Sequence, residues 1–579
     1  MINGTIFQCF HWYSPEPQAA ESAAVVRGVK TPGLEAHEAM TLWQQIAQDA
    51  PRLAQAGFSA LWLPPMTKGR QGRADVGYNA YDLYDLGEFE QCGSVATKYG
   101  DRTQLLAAIA SAKAANLQIY GDVVLHRKHG GDGIEQLEGT PVAWRDPSRA
   151  LAPSQPILTH SQFTFPGRGQ RYSEMTWCGK HFQRVNHNCM ASDPLSPGPS
   201  LEPYSGPSKS LPQSSIGRGQ IGTLYRLKFK TFSPEVDVRL GRQGQLCSNA
   251  CVEGLSAQPD ALQMTPQQQS RHEASLVCEL DLDMPEVVAA LEAWGTWFLD
   301  TTAVDGLRLD GTKHISASFI RDWLKTVKAQ SNPSLFAMGD YWSDRVNDLH
   351  WYIAKSDGQL SLFDVPLHYN FHFASRQGRY YDLRNILKGT LMVEQPTLAV
   401  TFVENHNSQP LQLLESPVEA WFKPLAYALI LLRYEGYPCV FAGDYYGAHY
   451  YTDEVAGNKP SVQRDIKLPA YQWLIDRLLF ARSHCAYGKQ YDYFETPNLI
   501  GWTRLGDAEH PQAMAVVMSN HHDQQQWMEV GKAHAQFTDI TQHISEPVWT
   551  NESGWGHFGC RGSSVSVWVE IPRGSNGTS

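Results

Sequence analysis

Short apolar segments alternate with longer amphipathic ones along most of this sequence, and few architectures accept that rhythm. The strand-like runs are Thr5–Phe10, Ala60–Leu63, Gln118–Leu125, Gly306–Asp310, Leu335–Gly339, Leu360–Val365, Leu398–Val403 and Cys439–Ala442. Between several of them lie helical patterns, including Trp43–Ala56, Thr103–Ala115, Val287–Phe298, Phe319–Ala329 and Trp421–Tyr434. Eight strands with intervening helices predict a closed parallel barrel, the TIM (β/α)8 architecture, rather than an open sheet.

Two regions depart from the rhythm. Residues 127–275 are rich in Pro, Gly, Ser and Gln and lack helical periodicity, so they read as an irregular domain inserted after the third strand, partly mobile at 190–220. Residues 20–40 read as a smaller loop insertion. After about residue 487 the helices stop, and short alternating runs such as LIGWTRLG and SSVSVWVEI predict a terminal antiparallel β-sandwich. The expected organisation is barrel over 1–126, insertion over 127–275, barrel again over 276–487 and sandwich over 488–579.

Composition narrows the partners. The 579 residues carry a formal net charge of -11, which argues against nucleic acid and anionic membrane. No stretch is long and apolar enough to span a bilayer. Seventeen Trp and 25 Tyr supply flat faces that suit sugars, although aromatic packing alone accounts for such numbers. The start, MINGTIFQCFHWY, reads as a strand rather than a signal peptide, and ten scattered cysteines read as free thiols of a reducing cytoplasm. Cys247 and Cys251 lack a second half for a zinc site, and the sequons at Asn3, Asn551 and Asn576 carry no meaning in that compartment.

Chemistry concentrates where the strands end. In GLRLDGTKHI, Arg308 and Asp310 share one strand face at the barrel mouth, and an arginine beside a carboxylate keeps it ionised, as a nucleophile requires. A structural ion pair reads the same way from this strand alone. Further polar ends follow in GDVVLHRKHGG, FAMGDYW and TFVENHNSQP.

Together, in order and spacing, these four segments resemble the conserved strand segments of the α-amylase family of retaining glycoside hydrolases. DVGYNAYDLYDLGEF, FTFPGRGQRYSEMTW, LFDVPLHYNFH and EAWFKPLAYALILLRYEGYP extend the likeness to its liquefying and cytoplasmic bacterial branch. The resemblance implies Asp310 as nucleophile with Arg308 as its partner and Asp122 bracing the arginine. It further implies Tyr78 stacking on the sugar beside the cleaved bond, His406 bonding that sugar's hydroxyls, and Lys313 and His314 on the leaving side.

Three matched positions differ from the family. Its acid/base glutamate is Asp340 here, its third carboxylate is Asn407, and an Asn-His pair after the third strand is His126-Arg127, placing Arg127 where a sugar-contacting histidine is usual. Retaining hydrolysis needs carboxyls about 5–5.5 Å apart. An aspartate is one methylene short, and a misplacement on the order of an ångström costs on the order of 10²-fold. Residue type and the lost charge at 407 both predict a more readily ionised acid, since free Asp titrates at about 3.9 against about 4.3 for Glu. The expectation is a slow hydrolase of α-1,4-glucans or maltooligosaccharides; the alternatives are a catalytically lapsed glucan-binding protein and a transglycosylase. No cofactor is expected: the family's calcium positions read His126, Glu279 and His181-Phe182-Gln183, a poor set for a cation that takes six to eight oxygens.

Overall fold

The computed structural model describes residues 3–14, 40–143, 146–189, 224–228, 276–454 and 462–571. The expectations for 190–220 and, except for residue 40, for 20–40, together with the Cys247/Cys251 pair and the sequon at Asn576, lie outside these residues. The chain divides into two compact units. One is Met1–Met66, Arg102–Val124 and Gly295–Ser579; the other is Thr67–Asp101 and Leu125–Trp294.

The first unit holds a closed barrel of eight parallel strands, β1 (Ile6–Gln8), β2 (Ala60–Leu63), β3 (Gln118–Val123), β4 (Gly306–Leu309), β5 (Phe336–Gly339), β6 (Ser361–Phe363), β7 (Ala399–Phe402) and β8 (Tyr437–Phe441), each beside its sequence neighbours. Pairing of Ile6 with both Cys439 and Ala60 closes the ring. These strands are apolar at nearly every position because, in a helix-wrapped barrel, both faces are buried.

The helices follow from capping and amphipathic spacing. In α1 (Leu42–Ala56), Thr41 and Gln44 form a reciprocal capping box, Trp43, Ile46, Ala50 and Leu53 form the buried stripe, and Gly57 ends the helix at φ 109°. Further on come α2 (Arg102–Ala114), α3 (Pro285–Thr302), α4 (Ala317–Gln330), α5 (Val346–Lys355), α6 (Val365–Gln377), α7 (Lys423–Leu432) and α8 (Gln472–His484); Ser316 caps α4 and Asp364 caps α6, whereas α7 is buried at nearly every position. The sixth strand is shorter than its apolar run because Asp364 leaves it to cap α6. Its buried carboxylate accepts N–H groups from Leu367 and Leu391 at 3.1 Å each and from Met392 at 2.6 Å.

In the second unit the described part of the insertion is more regular than its composition implies. Arg127–His129, Val277–Leu280, Phe182–Val185, Leu224–Lys228, Gly133–Ala143 and Asp146–Ala150 form an antiparallel sheet in that order, with Gln155–Gln162 also paired to Gly133–Ala143. Its alternation is visible in GIEQLEG, where exposure switches residue by residue. Frequent Gly, Pro and Ser mask that pattern in the sequence.

The C-terminal residues form a six-stranded antiparallel sheet with the two-stranded ribbon β9 (Gln524–Glu529) and β10 (Trp555–Cys560). Val517, Met528, Phe537, Phe558 and Trp568 pack its core, as in a β-sandwich.

Candidate active site

Register builds the site. Arg308 pairs directly with Asp122 across β3 and β4, so both point to one face. Asp310 lies two residues beyond Arg308 and one past the end of its strand; Asp340 lies one past the end of β5. Backbone bonds fix both ends: Asp310 N donates to Val123 O at 2.9 Å and Asp340 N to Leu309 O at 3.1 Å.

The Arg308 guanidinium then reaches all three acids. Its Nη1 donates to Asp122 Oδ1 at 2.9 Å, to Asp122 Oδ2 at 3.1 Å and to Asp310 Oδ1 at 2.8 Å, and its Nη2 donates to Asp340 Oδ2. The Trp62 ring lies 5.3 Å from the guanidinium carbon, and Trp62 Nε1 donates to Asp122 Oδ2 at 3.1 Å. Asn407 Nδ2 donates to Asp340 Oδ2 at 3.2 Å. The structure thus gathers Asp122, Arg308, Asp310, Asp340 and the half-buried Asn407 into one cluster.

Burial raises the pKa of Asp340 above the ordinary aspartate value. Arg308 opposes that rise, the Asp310 charge adds to it, and the hydrogen bond from Asn407 opposes it more weakly. The net direction is upward from the free-aspartate value, because the dry surroundings and Asp310 outweigh Arg308 and the Asn407 hydrogen bond.

His406 is fully buried. Gln8 Nε2 lies 3.0 Å from its Nδ1, Phe10 and Trp62 pack against the ring, and burial followed by the Arg308 charge holds its pKa well below the usual value, so the imidazole is neutral. Lys313 and His314 lie on an exposed single turn after Asp310, with Lys313 Nζ donating to Trp342 O at 3.0 Å. Tyr78 and Arg127 belong to the second unit, Tyr78 buried and Arg127 half-buried on the strand Arg127–His129, in register with Glu279.

The positions the family uses for calcium are engaged otherwise. Glu279 Oε2 accepts Arg184 Nε and Nη2 at 2.5 Å each, Gln183 Nε2 donates to Leu280 O at 3.2 Å, and His181 Nε2 faces Glu286 at 3.3 Å. An arginine-bound carboxylate, an imidazole and a donating amide do not fit a hard cation. Among the described residues no cluster of three or more His, Cys, Asp or Glu is placed to hold a metal ion.

Several supporting residues escape sequence reasoning. Gln8 and Trp62 are two. Another group is the buried cluster in which Lys423 Nζ contacts Glu404 Oε2 at 3.0 Å and also Asp444, while Tyr427 donates to Asp444 Oδ2 at 2.7 Å. The available signal is Lys423 itself, a lone charge opening the apolar helix KPLAYALILL, which needs a carboxylate when buried.

Side-by-side carboxylates at the carboxyl ends of neighbouring barrel strands are the apparatus of a barrel glycoside hydrolase. No protein-family model matches the chain. It is 40% identical over 98% of its length to the alpha-amylase of Geobacillus stearothermophilus, covering 87% of that protein. It is also 36% identical over 98% of its length to the cytoplasmic alpha-amylase of Escherichia coli K12, covering 99% of it. Among solved structures, the alpha-amylase of Geobacillus thermoleovorans complexed with acarbose shares the fold at TM-score 0.51 and 15% identity, over 92% of both chains. The chain belongs to the α-amylase family of glycoside hydrolases.

The Lys423 cluster yields a test of the barrel's support. Lys423→Met leaves Glu404 and Asp444 buried without their cation and is expected to lower unfolding free energy by roughly 3–5 kcal/mol, whereas Lys423→Arg loses less. Urea denaturation followed by tryptophan fluorescence measures both; equal stability of Lys423→Met and wild type contradicts the assignment.

Proposed function

We propose that this protein hydrolyses α-1,4-glucans such as starch, glycogen and maltooligosaccharides by a retaining double displacement. The observation that carries the reading is the single guanidinium of Arg308 bonded to both Asp310 and Asp340. Asp310 attacks the anomeric carbon while Asp340 gives its proton to the departing glycosidic oxygen, leaving a glycosyl ester on Asp310. Asp340, now ionised, takes a proton from the water that displaces the ester. The raised pKa of Asp340 suits a group that must begin protonated. Arg308, braced by Asp122, keeps charge on the nucleophile; His406 as a neutral imidazole, Tyr78, Arg127, Lys313 and His314 are assigned to sugar contacts by family position.

Turnover is slow in this reading. Asp340 is one methylene shorter than the family's glutamate, and its Oδ2 is held by both Arg308 and Asn407. Asn407 offers dipoles but no charge to an oxocarbenium-like transition state. The same restraint on Asp340 favours a second reading, a lapsed enzyme that keeps the cleft for glucan recognition; a transglycosylase is a third, separated by its longer products. We assign the protein to the cytoplasm, supported by its relative of that name in Escherichia coli and by eight free cysteines among the described residues. Neither nucleic acid nor membrane is assigned as a partner; among the described residues no helix is long and apolar enough to cross a membrane.

Restoring the family's acids tests the mechanism. The Asp340→Glu, Asn407→Asp double variant is expected to exceed either single change in kcat/KM on a chromogenic maltooligosaccharide, non-additively, because both groups act on one transition state. Wild-type rate falls as pH rises through the raised pKa of Asp340, since the ionised form cannot donate. Asn407→Asp adds a like charge and shifts that alkaline limb upward. Asp310→Asn removes activity while maltooligosaccharide binding by calorimetry survives. A double variant as inert as an inactive parent favours the lapsed reading.

We further propose that the fold needs no calcium. EDTA is expected to leave the melting temperature unchanged; a drop reversed by Ca²⁺ contradicts this.

A further inference from the structure

The ribbon of β9 and β10 has two unlike faces. Inward, Met528, Phe558 and Cys560 join the sandwich core. Outward, the alternation presents Gln525, Trp527 and Glu529 from one strand and Trp555, His557 and Gly559 from the other. Trp527 is 43% exposed, far from the usual burial of so large a ring. It lies directly across from His557, with centroids 4.5 Å apart, and diagonally from Trp555 at 6.1 Å, the two indoles inclined by only 25°. Tyr493 meets Trp555 edge-on at 6.3 Å, and its hydroxyl accepts the Glu529 N–H at 2.9 Å, so the platform is braced from the neighbouring sheet.

The chemistry of this face selects its occupant. The ribbon's own outward residues include no aliphatic side chain and no Lys or Arg; Ile544 adjoins the face at Gly559, and Lys489 balances Glu529 at its edge. Near-parallel indoles edged by Gln525, Glu529 and His557 match a neutral polyol: pyranose C–H faces lie on the rings while hydroxyls reach the flanking amide, carboxylate and imidazole. A polymer offering many such faces can engage the ribbon and the barrel together, raising the local concentration of cleavable bonds.

We propose that this ribbon is a second, non-catalytic site that docks polymeric α-glucan, with Trp527 and Trp555 as its stacking platform. The proposal rests on the glucan-hydrolase reading, and its test separates the two. Retention on insoluble starch is measured beside kcat/KM on a short chromogenic maltooligosaccharide, for wild type, Trp527→Ala, Trp527→Tyr and Trp473→Ala. Trp473 is a control, an exposed ring covered by Arg477 at 3.9 Å on α8. Trp527→Ala is expected to weaken starch retention about tenfold with kcat/KM on the short substrate unchanged, while Trp527→Tyr and Trp473→Ala retain binding. Unchanged retention in Trp527→Ala, or no retention by wild type, overturns the site even where hydrolysis is normal. A dimer that Trp527→Ala dissolves without altering retention overturns it in favour of self-association. Absence of both turnover and glucan binding in wild type instead defeats the hydrolase reading.

Discussion

The barrel mouth is organised by one desolvated cation. Arg308 is completely buried, and a buried guanidinium without partners is not tolerated. It is surrounded by three carboxylates, Asp122, Asp310 and Asp340. Burial and the neighbouring Asp310 charge push the pKa of Asp340 up against the opposing Arg308, the direction that a proton donor requires. In the proposed mechanism the acids that share these contacts take different roles.

Asp340 and Asn407 are physically linked. An asparagine at 407 donates to Asp340 Oδ2, which an ionised aspartate could not do; it would repel Asp340 instead. The short acid and the neutral amide thus suit each other in the ground state. In the proposed mechanism, what they give up belongs to the transition state, with shorter reach at one position and no charge at the other.

Much of this was legible in the sequence because strand geometry is simple. Arg308 and Asp310, two apart on one strand, must share a face, and the eight-fold alternation left few alternatives to a closed barrel. Asp122 as a brace came from the family resemblance, and register places it opposite Arg308. Gln8 against His406 was not legible, since 398 residues separate the two and Gln8 sits in an apolar run. Nor was the pKa direction at Asp340, which depends on burial rather than residue type. The inserted sheet was hidden because its turn-forming composition outweighed a brief alternation. The ribbon platform was equally hidden: Trp527 and Trp555 become neighbours only through cross-strand pairing.

The central claim is that Asp310, held by Arg308, forms a covalent bond to the sugar. A fluorinated glucosyl donor with a good leaving group, which glycosylates faster than water can release it, tests this directly when the labelled protein is digested and mapped by mass spectrometry. The account predicts one added glycosyl unit on the peptide containing Asp310, lost in Asp310→Asn. A label on any other residue, or none from a donor that the protein demonstrably turns over, contradicts it.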